Sequence, residues 1–190
     1  MTFFPMEGKM SCGCGKKKRP ANIFGYNEAA DGNPVTWGPP LWELLHLLAE
    51  RVGRSGVLSV DIDQAILMDL LVQLLPSVIP CDECQAHCRE YLAQHPFSAG
   101  KLKDSRAISL FVRQWLLDFH NTVRSQKGQP LIITTLEQLT AEYGSDSIQQ
   151  CQVNLFLSNA NYGVRNGFVK MDALKRWIIA FNKLKVITGA

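Results

Sequence analysis

The feature that most constrains this chain is one long apolar stripe at helical spacing. Between Ser105 and about Gln126 no proline or glycine intervenes, and Ile108, Leu110, Phe111, Trp115, Leu116 and Phe119 give the segment a wide apolar face. Such a helix must be buried against other elements, and no stretch of the sequence shows a convincing alternation of period two to supply a sheet. Other helices therefore have to cover it. Thr36 is placed to cap a first helix with Pro39 and Pro40 in its opening turn. Leu41, Leu44, Leu45, Leu48 and Ala49 form its apolar face, and Gly53 ends it. Asp61 is expected to N-cap a second helix running to about Leu75, after which Pro76 and Pro80 break the chain. A third helix should run from about Cys81 to Gln94. Thr134 with Glu137, and Thr135 with Gln138, fit the capping-box pattern of a short helix ending at Gly144. The last third suggests a helix from Ser145 to Phe156, a turn over Asn159 to Gly167, and a helix from Asp172 to Lys185. The expectation is an all-α helical bundle.

Three regions are expected. Residues 1–35, rich in Gly, Pro, Lys and Asn, read as a flexible arm; 36–130 hold the main helical domain; 131–190 form a C-terminal helical extension. With 46% hydrophobic and 19% charged residues the chain has the composition of a soluble globular protein. A net charge of +3 gives no argument for nucleic acid, and the one dense basic run, Lys16 to Arg19, reads as a solvated tail. The most apolar stretch, Ala65 to Ile79, is too short and too polar to span a bilayer, being interrupted by Asp69, Gln73 and Pro76. The opening residues lack the pattern of a secretory signal, so a soluble, cytoplasmic location is expected.

Six cysteines then need an explanation. Two close pairs, Cys12-Gly-Cys14 and Cys81-Asp-Glu-Cys84, do not resemble a secreted framework that staples distant segments, and they point to redox or metal chemistry. Cysteines three apart at a helix start form a small ring that opens with little backbone motion, and the helix N-terminus favours a thiolate there. Zinc sites use the same spacing. Cys81, Cys84, His87 and Cys88 match by residue type, although four ligands from one short helical stretch do not readily close a tetrahedron. Trp42 and His46 share a face of the first helix; His120, Arg124 and Lys127 share one on the fourth, with Asn121 beside them. Facing one another, these groups could hold a flat ring system and a diphosphate. The same spacing equally describes core packing and a solvated helix end.

Taken in order, three motifs resemble the signature of the ERV/ALR family of FAD-linked sulfhydryl oxidases. They are Trp42-Glu-Leu-Leu-His46, Pro80-Cys81-Asp-Glu-Cys84-Gln-Ala-His87, and Trp115-Leu-Leu-Asp-Phe-His120-Asn121-Thr-Val123. The resemblance spans about Trp37 to Pro130. It implies a four-helix bundle with one further short helix, here followed by the C-terminal helices, and FAD as cofactor. By that resemblance Gly38, Trp42, His46, His87, His120 and Asn121 line the flavin site, with Arg124 and Lys127 as further cofactor contacts. Cys81 exchanges disulfides, and Cys84 sits against the isoalloxazine. Ile79 stands where the family usually has a tyrosine, and Arg124 where it has a second asparagine. The implied partners are protein dithiol substrates and molecular oxygen, with a homodimer as the implied assembly; compact members without an export signal include viral ones acting in a host cytoplasm. Family members often carry a shuttle pair on a mobile arm, the role this implies for Cys12 and Cys14. Cys88 and Cys151, without close partners, read as buried small hydrophobes.

Overall fold

The computed structural model describes residues 30–190. Among these residues the chain is all-α, with seven helices and two short 3-10 turns. The helices are α1 (Pro34–Ala49), α2 (Leu58–Leu74), α3 (Asp82–Gln94), α4 (Ser105–Gln126), α5 (Leu136–Tyr143), α6 (Gln150–Arg165) and α7 (Met171–Thr188). None of them is long and apolar enough to cross a membrane. The Cys12–Cys14 pair and the basic run lie outside the described residues.

Helix α1 is enclosed on nearly every side. Helix α6 packs along it on one flank, α4 and α5 on another, and α7 touches it as well. Its Leu41, Leu44, Leu45, Leu47, Leu48 and Ala49 are buried accordingly. Helix α7 lies along α2 and covers it with Trp177, Phe181 and Leu184, all buried. Phe156 of α6 meets Trp177 of α7 at 5.0 Å between ring centroids, so the helices after residue 130 share one buried cluster with α1, α2 and α4.

Several local expectations are corrected. Helix α1 starts earlier than Thr36: the Asn33 side chain accepts from Val35 N at 3.0 Å, and Pro34 occupies the first position. Pro39 and Pro40 consequently sit inside the helix instead of in its first turn. Asp61 is not a cap. Helix α2 begins at Leu58, and the wholly buried Asp61 accepts from Ser55 N at 2.9 Å, closing the preceding turn from within. Leu110 points outward and is half exposed; the buried face of α4 turns past it through Ile108, Val112, Trp115, Leu116 and Phe119. The stretch from Asn159 to Arg165, expected as a turn, is helical, and Ser145 to Gln149 precede the helix. Asn159 is fully buried; its Nδ2 donates to Leu155 O at 3.0 Å within the helix, while its Oδ1 has no hydrogen-bond partner. The spans of α3, α4 and α5 agree closely with the sequence, and the Thr135/Gln138 capping box is present.

The α1–α2 connection depends on Gly53. Its φ of +78° lies in the left-handed region, and a Cβ there would fall 2.7 Å from Ser105 O and 2.8 Å from Ser109 N. The start of α4 therefore lies directly against the turn. Phe156→Ala should remove about 3–5 kcal/mol of stability, the usual cost of deleting a fully buried aromatic ring. Urea unfolding should show this loss in a single transition, since the ring belongs to the cluster shared with α1 and α2.

Candidate functional site

Cys81 and Cys84 form a disulfide whose Cα atoms lie 5.2 Å apart. Pro80 ends the preceding loop, and Cys81 is itself the N-cap of α3: its sulfur accepts from Cys84 N at 3.2 Å. Both sulfurs thus lie at the positive end of the helix dipole, where a thiolate released by reduction is stabilised. Cys88, one turn further on, is a different kind of cysteine. Burial holds its thiol un-ionised, pushing the pKa up to about 12. Cys151 is only partly buried. With Cys81 and Cys84 bonded to each other, the four-ligand zinc arrangement is not assembled; among the described residues no group of three metal-ligating side chains could hold an ion.

The second half of the site lies between α1 and α4. Trp42 and His120 stack almost parallel, 4.3 Å between centroids and 4° between planes. His46 Nε2 and His120 Nδ1 share a hydrogen bond of 3.0 Å. Tyr143, at the end of α5, stacks on the other side of His46 at 5.1 Å. Phe119 meets Trp42 edge-on, and Tyr91 of α3 stacks on Phe119 at 4.4 Å. An aromatic ladder therefore runs from α5 through α1 and α4 to α3, the helix that carries the disulfide. No local pattern marks Tyr143, which comes from far along the chain. Phe119 is legible only as an apolar position beside His120, and nothing in the spacing singles out Tyr91.

Burial decides the charge of the two histidines. Desolvation, with the neighbouring His120 adding to it, lowers the His46 pKa to about 3. Desolvation, then the Arg124 guanidinium, lowers that of His120 to about 4. Both are neutral at pH 7, as their shared hydrogen bond requires of at least one ring. His46 Nδ1 is buried without a hydrogen-bond partner. Such an orphaned ring nitrogen inside an aromatic wall is a place where a bound polar group would be satisfied.

The remaining candidates are arranged around this centre. Gly38 lies one turn before Trp42 on α1 and is buried. Asn121 donates to Ile133 O at 3.0 Å, and Arg124 Nε to Pro130 O at 2.8 Å, so both tie down the segment after α4. Lys127 is the exposed C-cap of α4. His87 sits apart from the histidine pair, exposed at the rim of a cleft of about 80 Å³ between α3 and α4 floored by Tyr91, Phe119 and Val123. A far wider cleft, about 1130 Å³, lies against the α1–α2 turn and α5. It holds no histidine or cysteine, and its Arg54, Arg106 and Arg113 are offset by Asp61, Glu137 and the buried Glu50 that Arg54 and Arg113 flank. The paired sulfurs and the two imidazoles lie instead at the disulfide and along the ladder.

Comparison with known proteins agrees on the helical core. The Erv1 / Alr family model matches residues 39–143. A putative FAD-linked sulfhydryl oxidase, 347L, of Invertebrate iridescent virus 6 is 28% identical over 105 residues, covering 54% of this chain and 88% of that protein. FAD-linked sulfhydryl oxidase ERV1 of Arabidopsis thaliana is 29% identical over 125 residues, 64% of this chain and 59% of that protein. A second viral protein, the putative FAD-linked sulfhydryl oxidase 096R of Invertebrate iridescent virus 3, is 29% identical over 98 residues, 52% of this chain and 60% of its own. No solved structure matches the chain significantly.

The depressed histidines make stability pH-dependent with a definite sign. Each binds a proton more readily unfolded than folded, so their contribution is complete above about pH 6.5 and drains away as pH falls toward the folded values. A His46→Gln variant, which cannot take up that proton, should lose less Tm than the parent between about pH 7 and about pH 5. Thermal melts across that range check it; parallel curves would mean that His46 is solvated in the native state.

Proposed function

We propose that this chain, which belongs to the Erv1 / Alr family, is an FAD-linked sulfhydryl oxidase that forms disulfides in protein dithiols with oxygen as the final acceptor. The observation that carries this reading is a disulfide at the N-terminus of α3 joined through Tyr91 and Phe119 to a buried aromatic and imidazole wall. The residues suit a flat, partly polar cofactor. Trp42 and His120 form a stacked pair of planar rings, and the unpartnered Nδ1 of His46 offers a hydrogen-bond position beside it. Because both histidines are neutral, they contribute polarity without a buried charge. Arg124, fixed by its bond to Pro130, and Lys127 stand at the end of α4 as the charges for a diphosphate, and Gly38, His87 and Asn121 are the further cofactor contacts that the family resemblance implies. Bound FAD supplies the two-electron chemistry, accepting electrons from the dithiol and reducing oxygen to hydrogen peroxide.

The protein's own part is thiol exchange. A substrate thiolate attacks Cys81 Sγ, the Cys81–Cys84 bond breaks, and Cys84 leaves as a thiolate at the helix N-terminus. The substrate's second thiol, giving up its proton, attacks the mixed disulfide at its own sulfur. It departs as the oxidised product, and Cys81 is released reduced. Cys81 thus faces substrate, while Cys84 faces the cofactor.

The role we assign to Cys12 and Cys14 is to collect electrons from protein substrates. Its support lies in the position of Gly32. Gly32 sits against Pro80: an added Cβ would lie 3.3 Å from Pro80 O, immediately before Cys81. Cys14 lies about 18 residues before that root, enough as a coil for roughly 25 Å of reach, and tethering of this kind raises effective concentration to the millimolar range.

Two outcomes test the reading. Cys84→Ser should abolish thiol-dependent oxygen consumption while the purified protein keeps its flavin absorbance; normal turnover would remove Cys84 from the electron path. The Cys12→Ser/Cys14→Ser double variant should oxidise dithiothreitol at the parent rate and a folded protein dithiol more slowly. Equal rates on the protein substrate would reduce residues 12–14 to a bystander.

A further inference from the structure

The loop that carries the disulfide is held from outside the family-matched segment. Gln85, buried one residue after Cys84, divides its two amide protons. Nε2 donates to Ile79 O at 2.9 Å, just before Pro80-Cys81, and to Phe168 O at 2.7 Å in the α6–α7 turn. Its Oε1 accepts from Arg89 at 3.3 Å, which orients the amide. Five residues before Phe168, Gly163 of α6 brings its backbone so close to Pro80 that an added Cβ would lie 2.8 Å from Pro80 Cβ and 2.8 Å from Val169 Cγ2. Phe168 N and Val169 N both return to Gly163 O, at 2.9 and 3.2 Å, so the turn and the glycine form one rigid piece. Gln85 and Pro80 fall within residues 39–143, whereas Gly163, Phe168 and Val169 lie beyond it.

We propose that Gln85 and the Gly163–Val169 turn form a brace that tunes the Cys81–Cys84 disulfide, with Gln85 and Gly163 as positioning residues. This rests on the reading of Cys81–Cys84 as the working redox pair. The brace grips the chain at Ile79 and Pro80, on one side of Cys81, while Gln85 N bonds to Cys81 O at 2.9 Å on the other. Cys81 is thereby kept in N-cap geometry, where its sulfur accepts from Cys84 N. A thiolate gains more from that donor and from the helix dipole than a disulfide sulfur does, so the brace favours the reduced state. Loosening it withdraws stabilisation from the thiolate, and the disulfide becomes harder to reduce. The C-terminal helices thus act on the redox pair through two contacts, without touching either sulfur.

The test is anaerobic equilibration of the full chain, FAD bound, in glutathione redox buffers, with thiols trapped by alkylation and counted by mass spectrometry. Two glutathione thiols reduce the bond to the Cys81 and Cys84 thiols and leave as glutathione disulfide. Gln85→Leu removes both donors at similar volume; Gly163→Ala leaves every hydrogen-bonding group in place but pushes on Pro80. Each should lower the equilibrium constant for reduction by about threefold or more, while Lys183→Ala, on the exposed face of α7, keeps the parent value. In the parent protein, linkage is reciprocal: a brace that favours the reduced state is itself favoured by reduction, so reduction should slow amide hydrogen exchange over residues 164–170. That measurement decides the matter even if a variant fails to fold. Parent-like equilibria in both variants, or exchange over 164–170 indifferent to the redox state, overturn the brace and leave the oxidase reading intact. A Cys81–Cys84 pair that does not exchange with glutathione at all overturns both.

Discussion

Enclosure of α1 is the constraint on which the rest of the structure depends. Helices α4, α5, α6 and α7 all touch it, so His46 and Glu50 are cut off from solvent. Three of its turns contribute Trp42, His46 and Glu50 along one side, and each is accommodated differently. Trp42 is covered by the His120 ring. His46 is kept neutral and bonded to a second imidazole. Glu50 is met by Arg54 at 3.3 Å, by Arg113 at 3.8 Å and by the Thr140 hydroxyl, which donates to it at 3.0 Å. An isolated buried carboxylate would cost several kcal/mol, so α4 and α5 must bring these partners for α1 to pack at all.

That requirement couples fold to chemistry. The α5 helix that supplies Thr140 to Glu50 also supplies Tyr143 to His46 one turn later. Anchoring the carboxylate and closing the aromatic wall are one packing event. On α4 the same holds for Arg113 and His120, two turns apart. The ladder then passes through Phe119 to Tyr91, so α3 and its disulfide are placed by contact with the wall and not merely by the loop that precedes them.

The helices beyond residue 143 stabilise the core from the other side. Phe156, Trp177, Phe181 and Leu184 cover α1 and α2, a surface that would otherwise expose many leucine side chains to water. Their connecting turn reaches further, to Pro80 and Gln85. Core cover and contact with the disulfide loop therefore come from a single segment. Its own sequence advertised neither, since Asn159, Asn161, Gly163, Asn166 and Gly167 read locally as a turn.

Much was legible from residues alone. The long stripe of α4, the Thr135 capping box and the helix start at Cys81 are local patterns, satisfied by neighbours within a turn or two, and local physics states them in sequence. The CxxC at its helix start was legible as a pair able to close a small ring, although its spacing alone left a zinc site open. What the tertiary structure alone decided are the properties that depend on distant atoms. Asp61 looked like a cap and became a buried acceptor for Ser55, and Leu110 looked like core and faces water. His46 and His120 lost their ordinary basicity because burial, which no spacing encodes, removed the water that a charged imidazole needs. Tyr143 joined the site and Phe168 joined the disulfide loop across separations that only packing spans, because a helical pattern specifies which face is apolar and leaves open what will cover it.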